Sequence, residues 1–135
     1  MFTENEIAYL NSQPLARIAS VSTSNQPDNS ATGFEFDGKV FYLGSMIGDL
    51  RQSRRGKSVL AGNTKVALIV DDLASIDPWR PRYIRIYGTA EFVEREGKFG
   101  NKQYMRITPA ISWSRGIEPM ERGDGPPPPH RTVHG

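Results

Sequence analysis

The sequence of 135 residues contains no cysteine, which excludes disulfides, zinc–thiolate sites and thiol nucleophiles. Its only two histidines, His130 and His134, stand near the C-terminus, so a Ser-His-Asp triad in the preceding part of the chain would have no base. The neighbouring acids Asp71 and Asp72 would face opposite ways on a strand, which disfavours paired acid–base catalysis. The sequence therefore assigns no catalytic acid or base, which leaves solvent or a tyrosine such as Tyr87 as a proton source, and an enzyme of this composition would depend on a cofactor for its chemistry.

Long hydrophobic runs are also absent, and no apolar segment approaches the length that spans a bilayer. The N-terminus, MFTENEIAYL, is acidic and has no basic run, so it lacks the pattern of a signal peptide. A net charge of only +2 does not indicate a nucleic-acid-binding protein. We expect a cytoplasmic protein with one globular domain that binds neither membranes nor nucleic acid.

Two stretches carry helix signals. TENE is a capping-box pattern in which Thr3 and Glu6 satisfy backbone N–H groups, and Pro14 requires the helix that follows to end shortly before it. The second predicted helix runs from Asp49, as its N-cap, to Leu60.

Most of the remaining sequence alternates between apolar and polar residues, which is typical of half-buried strands. Residues 15–22 and 83–93 alternate in this way, and the apolar run KVALIV, 65–70, predicts a buried central strand. The DG dipeptide at 37–38 lies between two aromatic-rich runs and predicts a tight hairpin. Residues 71–82 contain two prolines and are expected to form a polar loop. Together these patterns indicate a mainly β protein, a small antiparallel barrel.

The C-terminal tail, residues 123–135, contains four consecutive prolines and almost no apolar residues. Such a segment favours extended polyproline geometry and cannot build a core. We expect residues 1–122 to form the barrel domain and the tail to be flexible and dispensable for folding. The i, i+4 spacing of its histidines would suit a metal only on a helix, so no metal site is predicted.

The stretch LRQSRRGKS contains no acid and gathers four basic side chains, which are Arg51, Arg54, Arg55 and Lys57. A strand ends shortly before it, where Ser45 offers a hydroxyl. Arginines on one helical face can hold a phosphate through charge-assisted and often bidentate hydrogen bonds. A solvated basic face is the alternative that composition alone favours. A nucleic-acid site is the third interpretation, but the sequence has no recognition motif or clear stacking platform for it.

The chain resembles the pyridoxamine 5′-phosphate oxidase-like family of split β-barrel flavoproteins in segments spread from about Leu15 to Glu118. These segments are ARIASVS, FDGKVFYLGS, RQSRRGKSVLAGNTKVALIVDDL, DPWRPRYIRIYGTAEFV and RITPAISWSRGIEP. They are most similar to an actinobacterial branch associated with the deazaflavin coenzyme F420. The resemblance implies a mainly β, six-stranded antiparallel split β-barrel of the FMN-binding type with short helices. It also implies a homodimer with two cofactor sites across its interface.

Within this resemblance, Ser45 and the basic segment match the residues that hold the cofactor phosphate; the matching members of that segment are Ser53, Arg54, Arg55 and Lys57. Trp79 and Arg82 match the loop that covers the cofactor of the other subunit. Gly56 stands where the family commonly has a larger residue, and we expect it to loosen the helix.

The resemblance implies an oxidoreductase that uses F420, ahead of FMN, to pass a hydride to a conjugated or unsaturated small molecule. The protein would fix the ring against the substrate and exclude water. Two alternatives remain open. One is an FMN-dependent oxidase or reductase of the same fold, and the other is a non-catalytic module that binds a flavin or F420, which the lack of an assignable acid or base favours.

Overall fold

The computed structural model describes residues 1–44, 48–119 and 128–135. These residues form two helices, α1 (Glu4–Ser12) and α2 (Arg54–Leu60), with a 3₁₀ turn at Leu50–Gln52 before α2. The strands are β1 (Leu15–Val21), β2 (Pro27–Gly33), β3 (Glu35–Phe36), β4 (Phe41–Leu43), β5 (Lys65–Ser75), β6 (Arg80–Gly97), β7 (Gly100–Arg115) and β8 (His130–Val133). In these three ranges no helix is long and apolar enough to cross a membrane.

One antiparallel sheet contains all of these strands, in the order β2-β1-β5-β6-β7-β4-β3, with β8 beside β7. Its two end strands, β2 and β3, are joined by Phe34 alone. Seven strands laid flat would separate these ends by about 29 Å, whereas one residue spans only about 3.5 Å. The sheet therefore curls until its ends meet, and the prediction of a mainly β antiparallel barrel is confirmed.

Alternate residues of the central strands fill the interior of the barrel, as the sequence pattern predicts. On β6, Ile84 and Ile86 are fully buried while Arg85 and Tyr87 face outward. The same alternation buries Leu68 on β5. Because this period of two is kept over a long stretch, β6 pairs with β5 along one side and with β7 along the other.

The local signals for the first helix and the first hairpin are confirmed. The Glu6 N–H donates to Thr3 Oγ1 at 3.1 Å, and the Thr3 N–H donates to Glu6 Oε1 at 3.0 Å, which completes the capping box of α1. At the predicted hairpin, Asp37 Oδ1 accepts a hydrogen bond from the Val40 N–H at 2.8 Å. Gly38 has a φ of 100°, in the left-handed region that favours glycine.

The predicted second helix is divided into two short pieces. Asp49 does cap the first piece, the 3₁₀ turn, by accepting from the Arg51 N–H at 3.0 Å. Ser53 then adopts an extended conformation, with φ −68° and ψ 158°, and begins α2 as a second N-cap. The prediction of one continuous helix from Asp49 is therefore wrong, because the capping serine competes with helix continuation.

Residues 71–82, predicted to be a polar loop, instead form the end of β5, a short turn and the start of β6, so that prediction is wrong. Two ion pairs compensate the carboxylates that this hairpin places in the sheet. Asp71 lies 3.5 Å from Arg17 on β1, and Asp72 pairs with Arg82 across the hairpin. Single-residue propensities disfavour aspartate in strands and contain no information about such cross-strand partners.

The tail contributes a strand, so the prediction that it is flexible is wrong for residues 130–133. This strand, β8, pairs with β7 and brings the sheet to eight strands within the described residues, where the resemblance implied six. Next to it, the His134 ring lies 4.3 Å from the buried Phe2 ring, and its Nε2 lies 2.8 Å from Ser112 Oγ. Composition alone contains no sign of these long-range contacts. The predicted domain boundary after residue 122 lies outside the described residues.

The docked tail should make stability depend on pH. Burial is the main reason that the pKa of His134 lies below its ordinary value; the N-terminal ammonium group acts in the same direction, and Glu6 opposes them. The folded state thus favours the neutral ring, while the unfolded chain takes up a proton as the pH falls through about 6.5. We predict that His134 lowers the free energy of unfolding as the pH falls from about 7 to 5.

Denaturant unfolding at several pH values measures this effect. His134→Gln should show a smaller loss of stability on acidification than the wild type, because the titrating ring is absent. His130→Gln is the matched control, since His130 is exposed on the same tail, and it should keep the wild-type pH dependence. The same pH dependence in all three proteins would contradict the docked position of His134.

Candidate functional site

The basic segment lies beside β1 and β2, and two of its arginines reach β2. Arg55 Nη1 donates to Ser30 Oγ at 3.3 Å, and Arg54 Nη1 lies 3.7 Å from Asp28 Oδ1. Asp28 and Ser30 are two residues apart on β2, so their side chains share one face of the strand. The structure therefore brings two of the predicted phosphate-binding residues to one place, against the same short strand.

Arg55 is the most informative residue of this group. Its Nε is buried and has no hydrogen-bond partner among the described residues. Burial lowers the pKa of the guanidinium, and the charge of Asp28 opposes that shift. A buried donor without a partner costs about 1–3 kcal/mol, and more when the group is charged. An anionic oxygen that accepted this hydrogen bond would remove the cost.

A second polar atom without a partner stands on the neighbouring strand. Ser20 lies opposite Asp28 in the register of β1 and β2 and is only 2% exposed. Its Oγ has no hydrogen-bond partner in the described part of the chain. Ser20 and Ser30 are diagonal neighbours, about 7–8 Å apart. Guanidinium and hydroxyl groups are the donors that phosphate oxygens accept, so the residues present fit a phosphate group.

The other predicted phosphate ligands are placed less directly. Ser53 caps α2, because its hydroxyl donates to Leu50 O at 2.6 Å and accepts from the Gly56 N–H at 3.0 Å. Its one hydroxyl hydrogen is thus engaged, and the residue orients the arginines that follow it. Lys57 is exposed and forms no ion pair with any described residue. Ser45 lies outside the described residues, and its role stays a prediction.

Trp79 and Arg82 lie on the β5–β6 hairpin, away from Arg55. The Arg82 Nε donates to Asp72 Oδ1 at 2.9 Å, and its Nη2 donates to the other carboxylate oxygen. The Arg82 guanidinium also lies over the Tyr9 ring, 5.1 Å from its centroid. Trp79 is 66% exposed at the turn of the hairpin. Within one chain the strand register keeps both residues apart from α2.

Sequence reasoning missed three residues of this site, Ser20, Asp28 and Ser30. The stretch that contains the last two, QPDNSATG, has the composition of a turn, and its pairing with β1 is a long ladder that composition does not indicate. One pattern in the sequence could have indicated these residues. Alternate positions of β2 are polar on the side that, in a barrel, ordinarily carries apolar side chains.

The protein-family model for pyridoxamine 5′-phosphate oxidase matches residues 2–131, nearly the whole chain. The chain belongs to this family. As a family member with a reductase among its relatives, it is a flavin-type oxidoreductase or binder. The sequence resemblance to the family is thereby confirmed.

Three similar proteins illustrate the likeness, one by sequence and two by fold. A 5a,11a-dehydrotetracycline/5a,11a-dehydrooxytetracycline reductase of Streptomyces rimosus is 35% identical over 97 residues, which cover 72% of this chain and 68% of that protein. A conserved hypothetical protein of Mycobacterium tuberculosis has a TM-score of 0.66 at 20% identity, over 91% of this chain and 93% of that one. A heme-binding protein of Mycobacterium smegmatis has a TM-score of 0.66 at 16% identity, over 98% and 59%. At these identities the two solved structures share the fold alone.

Gly56, the departure from the family pattern, permits a close packing within the basic segment that a larger residue would prevent. A Cβ on Gly56 would lie 2.1 Å from Leu50 O and 3.0 Å from Arg51 Cα. Only glycine therefore permits the 3₁₀ turn to pack directly against the backbone of α2.

We predict that Gly56→Ala destabilises the protein by about 1–3 kcal/mol, because the added methyl group overlaps the backbone of the 3₁₀ turn. Alanine exceeds glycine in helix propensity by about 1 kcal/mol, so a net loss would reflect the overlap. Urea unfolding measures the change, and Lys57→Ala, an exposed position on the same helix, should stay within about 0.5 kcal/mol of the wild type. A stabilising Gly56→Ala would show that the close packing is absent.

Proposed function

We propose that the chain is a homodimeric oxidoreductase that uses F420 to reduce a conjugated or unsaturated small molecule. Family membership supports flavin-type chemistry. The Streptomyces relative is named as a reductase of dehydro compounds, which carry an additional unsaturation. The observation that carries the proposal is the buried Nε of Arg55, which has no partner among the described residues and belongs to the segment that matches the family's phosphate ligands.

The position of Arg82 supports a site shared by two subunits. Arg55 contacts Ser30, which the strand register aligns with Leu68 of β5, whereas Arg82 stands opposite Asp72 of β5. The two positions are therefore four residues apart along the strand direction and three inter-strand spacings apart across the sheet. Together these steps amount to roughly 20 Å over the sheet. With Arg55 assigned to the phosphate and Arg82 to the ring, this separation is compatible with a cofactor that lies between two chains. In this proposal the β5–β6 hairpin covers the cofactor of the partner subunit.

The outward face of the barrel supports the homodimer. The strand register aligns an apolar row across five strands, formed by Ala19, Ala67, Tyr87, Ile111 and Val133. Tyr87 is 47% exposed and Val133 is 62% exposed in the single chain. Contiguous exposed apolar surface of this kind is typical of protein interfaces. We propose that a second copy of the chain covers this row.

Bound F420 in its reduced form would supply the hydride, and the chain would supply position and shelter. Arg55 and Lys57 would hold the phosphate and so set the depth of the ring. Arg82 is already fixed in one orientation by Asp72, so it can face the ring without losing further side-chain entropy. Trp79 is exposed in the single chain and would exclude water by covering the ring.

The proposal predicts a loss of cofactor affinity in Arg55→Gln. Each lost charge-assisted hydrogen bond should cost about 1.5–3 kcal/mol, which is roughly tenfold or more in the dissociation constant. The loss should be small for the deazaflavin chromophore that lacks the phosphate, because that ligand never makes the contact. Fluorescence titration of the purified protein measures both affinities.

The matched control is Arg51→Gln, because Arg51 belongs to the same basic segment and is paired with Asp49 at 3.2 Å. It should bind the intact cofactor as the wild type does. Equal affinity of Arg55→Gln and wild type for intact F420 would defeat the phosphate assignment. If the wild type binds FMN but not F420, and Arg55→Gln weakens that binding in the same way, the cofactor assignment changes to FMN and the phosphate site stands.

A further inference from the structure

A groove separates α1 from the turn that follows β7, and we call it the α1 groove. Its volume is about 470 Å³, which falls in the range of about 300–1,000 Å³ that is typical of small-molecule sites. The lining residues on which its chemistry depends are Asn5, Ala8, Tyr9, Arg82 and Glu118. None of them belongs to the basic segment, so the groove is separate from the proposed phosphate site.

Hydrogen bonds hold both walls of the α1 groove in place. The Tyr9 hydroxyl donates to Asp72 Oδ1 at 2.9 Å, which ties the middle of α1 to β5. The Asn5 side chain donates to Glu118 Oε2 at 3.2 Å, and the Thr3 hydroxyl donates to Glu118 Oε1. These contacts join the start of α1 to the turn after β7. A ligand would therefore meet a groove that needs little further ordering.

One side of the groove offers a flat surface for an aromatic ring. The Arg82 guanidinium lies over the Tyr9 ring on one face, and its side chain, 34% exposed, lines the groove. A planar guanidinium stacks well on aromatic rings, and the pair with Asp72 prevents it from swinging away. The same pair neutralises its charge, so the surface does not select for anions.

The other side of the groove carries a negative charge. Glu118 accepts hydrogen bonds from Thr3 and Asn5, both neutral, and no basic side chain of the described ranges forms an ion pair with it. A carboxylate can accept about four hydrogen bonds, so it keeps lone pairs for a ligand. An ammonium group would supply both the missing charge and further donors.

We propose that the α1 groove binds a planar aromatic molecule that bears an amine, with its ring stacked on Arg82 and its amine paired with Glu118. Because Arg82 belongs to the hairpin assigned above to the cofactor, this ligand would be the conjugated acceptor of the reduction. That identification rests on the proposed function, whereas the existence of the binding site does not.

Fluorescence titration with the planar cation 9-aminoacridine, in the absence of any cofactor, tests the site. Ala8→Phe fills the groove and should weaken binding of the dye at least tenfold. Glu118→Gln should weaken it several-fold. Asn11→Phe is the control, since Asn11 is exposed on α1 and does not line the groove, and it should bind as the wild type does. The anionic dye anthracene-2-sulfonate should bind at least tenfold more weakly than the cation.

Several results would overturn the proposal: no binding of the cationic dye by the wild type, undiminished binding by Ala8→Phe or Glu118→Gln, or equal affinity for the anionic dye. If Ala8→Phe does not fold, Glu118→Gln alone decides, with circular dichroism as the check of folding. Titration of the same proteins with F420 and FMN separates this test from the proposed function. Wild type that binds the dye but neither cofactor would leave the groove established and remove the oxidoreductase assignment.

Discussion

Phe34 is the only residue between the two end strands of the sheet, and it is buried against the ring of Phe41 at 6.0 Å. This short connection closes the barrel, while an antiparallel ladder of seven residue pairs holds β2 beside β1. The inward positions of β2 are thereby available to α2, whose direction is set by the Ser53 cap and the close approach at Gly56. Closure of the barrel and packing of α2 together place Arg55 against Ser30.

Arg55 differs from three arginines of the strands in how its charge is balanced. Arg17, Arg82 and Arg95 each face a carboxylate, at 3.5 Å, 2.5 Å and 2.9 Å respectively. Such partly exposed pairs contribute little to stability, about 0–1 kcal/mol, but they leave those arginines with no need of an external anion. Arg55 forms no ion pair with a described carboxylate, although the charge of Asp28 acts on it; it donates to the Ser30 hydroxyl, and its buried Nε has no partner within the described residues. This imbalance is the physical basis of the proposed phosphate site.

Sequence reasoning succeeded where the decisive interactions are local. The capping box at Thr3, the hairpin at 37–38 and the alternation of β6 all depend on neighbours within a few residues, and all are present. It failed where partners are distant in the chain, because pattern and propensity contain no pairing information. His134 docks beside Phe2, and the α1 groove exists because Tyr9 bonds to an aspartate 63 residues later. The basic segment was found by its charge, but its partners on β2 and the neighbouring Ser20 on β1 were not.

A crystal structure of the protein with F420 bound tests the central claim most directly. The account predicts a phosphate oxygen about 2.7–2.9 Å from Arg55 Nε, the length of a charge-assisted hydrogen bond. It also predicts Trp79 and Arg82 of the second subunit over the ring. A phosphate bound elsewhere, with Arg55 still directed only at Ser30, would contradict the account.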